Sequence, residues 1–218
     1  MEHAKVDTPD FSFKHELIRK GIHLSSLSIP VIYWYITRDL ALSILVPITL
    51  AFVLVDTIKF FHEPTRELYY RTFSFILRRH ETEETKKTFN GATWVLISAT
   101  FCVWLFPKLI FVTAFSILII SDTASALFGR KFGRRRFRGK SLEGSLAFVL
   151  TAWIAILFTP KLLGTPLEYG IAFTAAVVGA IAEVLSYGII DDNFAIPVSI
   201  GGVMWVLLYW FYPGIPLY

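Results

Sequence analysis

The chain has 218 residues, of which 55% are hydrophobic, 16% aromatic and only 17% charged, with a formal net charge of +4. A soluble domain of this length carries about a quarter charged residues, so the deficit, with a mean hydropathy of +0.58, argues against a water-soluble globule. The single cysteine, Cys102, lies in an apolar stretch; it excludes an intrachain disulfide and argues against zinc. No internal repeat is visible, which sets solenoids aside.

Residues 1–15 form a polar tail of mixed charge, with no short apolar run and cleavage site, so a removable signal peptide is not expected. Seven apolar stretches follow: Gly21–Ile36, Leu40–Phe61, Phe89–Phe106, Leu109–Phe128, Ser145–Leu163, Leu167–Ile190 and Phe194–Tyr212. Lipid offers the backbone no hydrogen-bond partner, so each is expected to be a transmembrane helix. Pro30, Pro47 and Pro197 are candidate kinks. The fold class expected is thus all-α, a polytopic helical bundle with one membrane-embedded domain over residues 1–218.

Seven passes put the two termini on opposite sides. The side of the N-terminus collects 18 of the 21 Lys and Arg, leaving Arg38, Lys108 and Lys161 on the other; of the 17 acids only Asp39 and Glu168 lie on that other side. Cytoplasmic loops carry the excess of Lys and Arg, so the charged face and the N-terminus are expected in the cytoplasm. The connector 62–88 includes a candidate interfacial helix with Tyr69, Phe73, Ile76 and Leu77 on one face and Glu67, Arg71, Ser74 and Arg78 on another. It suits either a platform for a lipid substrate or an ordinary connector in the headgroup layer.

Polar residues at the cytoplasmic ends of the helices carry the candidate chemistry. Arg19 and His23 share a helical face, and Glu16 lies one turn before Lys20 and could orient it. Arg19 and Lys20 either clamp phosphates or snorkel at the end of a span. Asp56 and Lys59, three apart, can pair. Asp122 sits inside the fourth stretch, where an ionised carboxylate needs a cation or a metal.

Gly129, Arg130, Gly133, Gly139, Lys140 and Ser141 belong to a basic segment, 129–144, with seven Lys or Arg between Arg130 and Lys140. Glycines let backbone N–H groups approach an anion, cations neutralise it, and the helix opening at Lys140-Ser141 adds its positive end. A magnesium-binding carboxylate beside such a cradle is what phosphoryl transfer requires; charge alone would equally suit an anionic-lipid anchor. Glu183 lies two turns inside the sixth stretch, and Asp191, Asp192 and Asn193 follow it. These groups either contribute to a cation site with Asp122 or, for Asp192 and Asn193, turn the chain and cap the last helix.

Asp122 with Gly129-Arg130, Phe132-Gly133 and Lys140-Ser141-Leu142-Glu143-Gly144 resembles the signature of the polyprenol kinase family, which includes dolichol, phytol and CTP-dependent diacylglycerol kinases. Glu16 to His23, Asn90-Gly91-Ala92-Thr93, and Glu183 followed by Asp192-Asn193 and Pro197 resemble its other motifs. A related pattern occurs in phosphatidate cytidylyltransferases.

The resemblance implies a kinase that moves the γ-phosphoryl of CTP, or of ATP or UTP, to a polyprenol, another isoprenoid alcohol or diacylglycerol. It implies Asp122, Asp192 and Lys140 as catalytic residues. Arg19, Lys20, Gly129, Arg130, Gly133, Lys140, Ser141, Glu143, Gly144 and Asn193 are its nucleotide contacts, and Asp122, Glu183 and Asp192 its Mg2+ ligands. The alternative is a cytidylyltransferase that forms a CDP-lipid; a transporter or scramblase comes third, because intramembrane charge does not extend toward the far side. A nucleoside triphosphate, a lipid alcohol and the bilayer are the expected partners, nucleic acid is not, and a homo-oligomer is left open. The short chain leads us to expect a prokaryotic plasma membrane.

Overall fold

The structure, a computed structural model, describes residues 9–73, 88–137, 139–186 and 190–217. Helices dominate them: α1 (Pro9–Ser25), α2 (Ser28–Tyr35), α3 (Arg38–Phe61), α4 (Glu63–Phe73), α5 (Gly91–Leu105), α6 (Lys108–Phe132), α7 (Leu142–Phe158), α8 (Pro166–Leu185) and α9 (Asp192–Phe211). A small hairpin of β1 (Arg136–Phe137) and β2 (Lys140–Ser141) joins α6 to α7. The protein is an all-α membrane helical bundle.

Four helices, α3, α6, α8 and α9, are long and apolar enough to cross a membrane. The apolar α5 and α7 have 15 and 17 residues, so at about 1.5 Å per residue they fall short of a roughly 30 Å hydrocarbon core. The first expected span is two helices. α1 begins at Pro9 instead of Gly21, and i→i−3 bonds from Ser26 to His23 and from Leu27 to Leu24 (both 3.0 Å) tighten and end it. Pro30 falls in the first turn of α2, where no intrahelical donor is needed. Pro47 and Pro197 lie inside α3 and α9.

Helix starts follow local sequence. Thr37, Asn90, Ser141, Thr165 and Asp191 each accept a bond from a backbone N–H two or three residues on, which is the N-cap role of short polar side chains. Thr165-Pro166-Leu167-Glu168 adds proline in the first turn.

Contacts at the helix ends sort the bundle into two poles. At one, Arg38 of α3 donates to the Phe106 carbonyl that ends α5 (2.7 Å), and Lys108 of α6 donates to the Ile36 carbonyl after α2 (2.6 Å). Lys161 donates to the Ile156 and Thr159 carbonyls ending α7, at 2.5 and 2.6 Å. Glu168, 1% exposed, accepts the N–H groups of Leu162, Leu163 and Gly164. Thr165 and Tyr212 pair across α8 and α9. The other pole holds Lys20, Asp56, Asp122, the hairpin, Glu183 and Asp192. The described helices thus make seven passes between the poles, α1 and α2 together forming the first.

The core is built around α6. Of its apolar window 72% is buried within the protein, against 22% for α3 on the periphery. Phe111 stacks on Phe115 with centroids 5.0 Å apart, and Tyr33 meets Phe111 edge-on at 5.2 Å. α6 continues past the expected Phe128 to Phe132, so Gly129, Arg130 and Lys131 belong to its last turns and not to a loop.

Of the candidate interfacial helix, α4 covers the first part; Ser74, Ile76, Leu77 and Arg78 lie outside the described residues. At its start Asp56 and Lys59 pair at 2.8 Å, as their spacing suggests. Asp56 also accepts the Asn90 backbone N–H (2.8 Å) and side-chain amide (3.0 Å), and that amide donates to the Tyr69 hydroxyl (2.7 Å). This knot ties α3, α4 and α5 together.

Glycines close the α6–hairpin–α7 junction. A Cβ at Gly133 would stand 2.2 Å from the Gly129 carbonyl oxygen and 2.7 Å from the Ser141 side chain; one at Gly144 would stand 2.8 Å from the Ser125 carbonyl. Gly133→Ala is therefore expected to destabilise the detergent-purified protein by about 1–3 kcal/mol, the usual cost of overpacking. Gly170→Ala, where a Cβ meets nothing within 4 Å, should leave the melting temperature unchanged or slightly raised. Equal melting temperatures for the two variants would contradict this packing.

Candidate active site

The charged pole gathers residues from five separated segments. Lys20 of α1, 2% exposed, donates to Asp122 of α6, also 2% exposed, and His23 Nε2 lies 3.4 Å from the same carboxylate oxygen. Lys140 of β2 donates to Glu183 of α8 at 2.9 Å and to Asp192 of α9 at 3.1 Å. Ser125, one turn after Asp122 on the same face of α6, donates to Glu183 at 2.8 Å. Burial alone would lower the Lys140 ammonium, but the carboxylates of Asp192, Glu183 and Asp122 outweigh it and hold the group above its ordinary pKa. The two halves of the cluster therefore share one electrostatic field.

Another set of ion pairs, around Glu16, lies beside it. Glu16 accepts from Arg19 and stands 2.9 Å from Arg130. Glu16 therefore organises those two arginines, and Lys20, which it was expected to orient, turns to Asp122 instead. Lys20, four positions after Glu16, is also within helical reach of it, but the buried Asp122 carboxylate takes the Lys20 ammonium while Arg19 and Arg130 serve Glu16.

Ser141 is buried and caps α7 by accepting from Gly144 N–H at 3.0 Å, and it fills the space that Gly129 and Gly133 leave open. Glu143 accepts from the Arg134 backbone N–H at 3.1 Å. Hydrogen bonds from its own backbone N–H and those of Arg134 and Arg135 hold its carboxyl below the usual range. Gly139, at φ 80°, turns the hairpin between Phe137 and Lys140. Asp191, not Asp192, caps α9, accepting from the Asn193 backbone N–H (2.9 Å) and amide (2.7 Å). That leaves the Asp192 carboxylate facing Lys140.

The structure thus brings Lys20, Asp122, Lys140, Glu183 and Asp192 into one cluster and flanks it with Arg19 and Arg130. Gly129, Gly133, Ser141 and Gly144 form its supporting joint, and Asn193 lies buried beneath it. Sequence reasoning passed over Ser125, although its position three residues after Asp122 was a usable signal.

The donor set suits a hard cation. Asp122, Glu183 and Asp192 offer carboxylate oxygens, and Glu183 Oε2 and Asn193 Oδ1 are buried without a hydrogen-bond partner among the described residues. Among those residues no three acidic or thiol or imidazole side chains surround a single point. Magnesium takes one or two carboxylates, with phosphate oxygens and water completing its octahedron, so the residues fit it without a closed protein cage.

No family model matches the chain, and no solved structure matches it. Among curated proteins it is 31% identical to an uncharacterised protein of Rickettsia prowazekii, over 89% of this chain and 94% of that one. It is 30% identical to CTP-dependent diacylglycerol kinase 1 of Saccharomyces cerevisiae, over 87% of this chain and 72% of the yeast protein. It is 26% identical to CTP-dependent diacylglycerol kinase 1 of Schizosaccharomyces pombe, over 94% of this chain and 99% of that one. The chain belongs to the family of the CTP-dependent diacylglycerol kinases.

Proposed function

We propose that the protein is a CTP-dependent lipid kinase whose phosphoryl-transfer centre is the Lys20–Asp122 and Lys140–Glu183–Asp192 cluster, at the cytoplasmic face of the membrane. The observation that carries this is Lys140, a cation held by two carboxylates from different helices next to a third acid. Opposed buried charges are costly to assemble, and phosphoryl transfer uses both signs at once.

Lys140, with Arg19 and Arg130 at the rim, would bind the triphosphate oxygens. Glu183, with one of the aspartates Asp122 or Asp192, would hold Mg2+, which when bound neutralises charge on the phosphate oxygens. Asp192, 12% exposed, is the more accessible carboxylate and accepts the proton of the lipid hydroxyl. The freed lipid oxygen bonds to the γ-phosphorus as the bond from that phosphorus to the β-phosphate oxygen breaks, and CDP leaves. Asp122, sealed by Lys20 and His23, positions the cluster from below.

Diacylglycerol is the acceptor named for the yeast relatives and is the first to test, with a polyprenol second. A cytidylyltransferase would share the site and CTP, but it attaches CMP to a lipid phosphate. With purified protein in liposomes, CTP labelled at the γ-phosphate should yield labelled lipid monophosphate. Asp192→Asn should cut that rate by about 10²–10⁴-fold, the usual share of a general base. A product carrying CMP, or a wild-type rate in the variant, would reject the kinase mechanism.

Orientation has its own test. In a Cys102→Ser background, a membrane-impermeant maleimide added to intact cells should label Leu163→Cys and spare Lys131→Cys. The reverse pattern would put the cluster outside the cytoplasm.

A further inference from the structure

A cavity of about 650 Å³ opens between α7 and α8 directly beneath the hairpin. That volume is in the range of roughly 300–1,000 Å³ typical of small-ligand sites. Leu142, Leu146 and Val149 line it from α7, and Val177, Ile181 and Leu185 from α8. They recur at three- and four-residue steps, so each helix presents one apolar stripe to the space between them. The small Ala180, 6% exposed, forms part of the floor.

The polar end of this cavity is Lys140 with Ser141, flanked by Arg135 and Arg136 of the hairpin. Lys140 is the same ammonium that holds Glu183 and Asp192. Glu183 itself stands one turn beyond Ala180 on α8, so the apolar floor leads into the charged cluster without a break. From Ser141 to Val149, and from Leu185 to Val177, each wall runs eight residues, or about 12 Å. That is most of one leaflet's share of a hydrocarbon core about 30 Å thick.

We infer that this groove is the acceptor site: it takes the upper part of one acyl chain of a diacylglycerol-type lipid alcohol and delivers the hydroxyl to Lys140 and Asp192. The inference rests on the kinase reading for its chemistry but on the groove for its place. The three cations at the mouth complement the phosphate that the hydroxyl acquires, so they favour the anionic product over the neutral substrate while the tail keeps its seat. The lipid reaches the groove sideways from the bilayer, because the groove opens between two membrane helices.

The test uses the intact protein in nanodiscs containing a diacylglycerol with a photoactivatable diazirine in one acyl chain. After illumination, mass spectrometry should find the label mainly on residues 142–149 and 177–185. Val177→Trp, which fills the lower groove, should reduce that labelling and raise the KM for long-chain diacylglycerol by ~10-fold or more. Leu54→Trp on the outward face of α3 should change neither. Label spread over α3 and other outward faces in proportion to their exposure would overturn the assignment, whatever the turnover. Label confined to the groove in a protein that transfers no phosphate would support the groove and reject the kinase reading.

Discussion

Carboxylates within an apolar bundle demand cations, and that demand organises this molecule. Asp122 is 2% exposed and Glu183 is wholly buried, each on a helix apolar enough to cross a membrane. Removing one partner of such a pair strands a charge at a cost of several kcal/mol. The partners come from far along the chain: Lys20 stands 102 positions before Asp122, and Lys140 stands 43 before Glu183. Pairing them draws α1 onto α6, and the hairpin onto the ends of α8 and α9. Any function that uses the cluster inherits this constraint, since the same ions hold the helices together.

The two poles use charge differently. At the far pole Arg38, Lys108 and Lys161 neutralise helix carbonyl ends, and Glu168 collects three backbone N–H groups. Those charges finish local backbone hydrogen bonding, as helix termini require. At the near pole the charges meet one another across helices, and Glu183 Oε2 remains without a partner among the described residues. Spare acceptor capacity beside a shared ammonium suits exchange with a ligand. Among the described residues the far pole offers no comparable group of charges meeting across helices, so that distribution gives the transporter reading no support.

Much of this was legible in the sequence. Apolar stretches and the one-sided distribution of Lys and Arg marked the helices and the charged face, since both are composition effects that need no tertiary information. Asp122 and Glu183 stood out because charge is rare in such helices, and the pairing of Asp56 with Lys59 followed from their spacing. What was not legible depended on packing. The break at Ser26–Leu27 has no glycine to announce it, and α6 runs through Gly129 because its close approach to Ser141 and Gly144 replaces a loop with a joint. The choice of Asp122 by Lys20 over the nearer Glu16 depends on Arg130 of α6, which joins Arg19 on Glu16 only in the folded bundle. The groove under the hairpin likewise arises only when α7 and α8 lie side by side.

Lys20 and Asp122 hold each other inside the bundle. A double-mutant cycle on thermal stability, with Lys20→Met, Asp122→Asn and the double variant in one detergent, measures it directly. Each single change should lower the melting temperature by stranding a buried polar partner, and the double variant should recover part of the loss. Strictly additive losses would mean that the two residues do not meet, and the cluster as described would not exist.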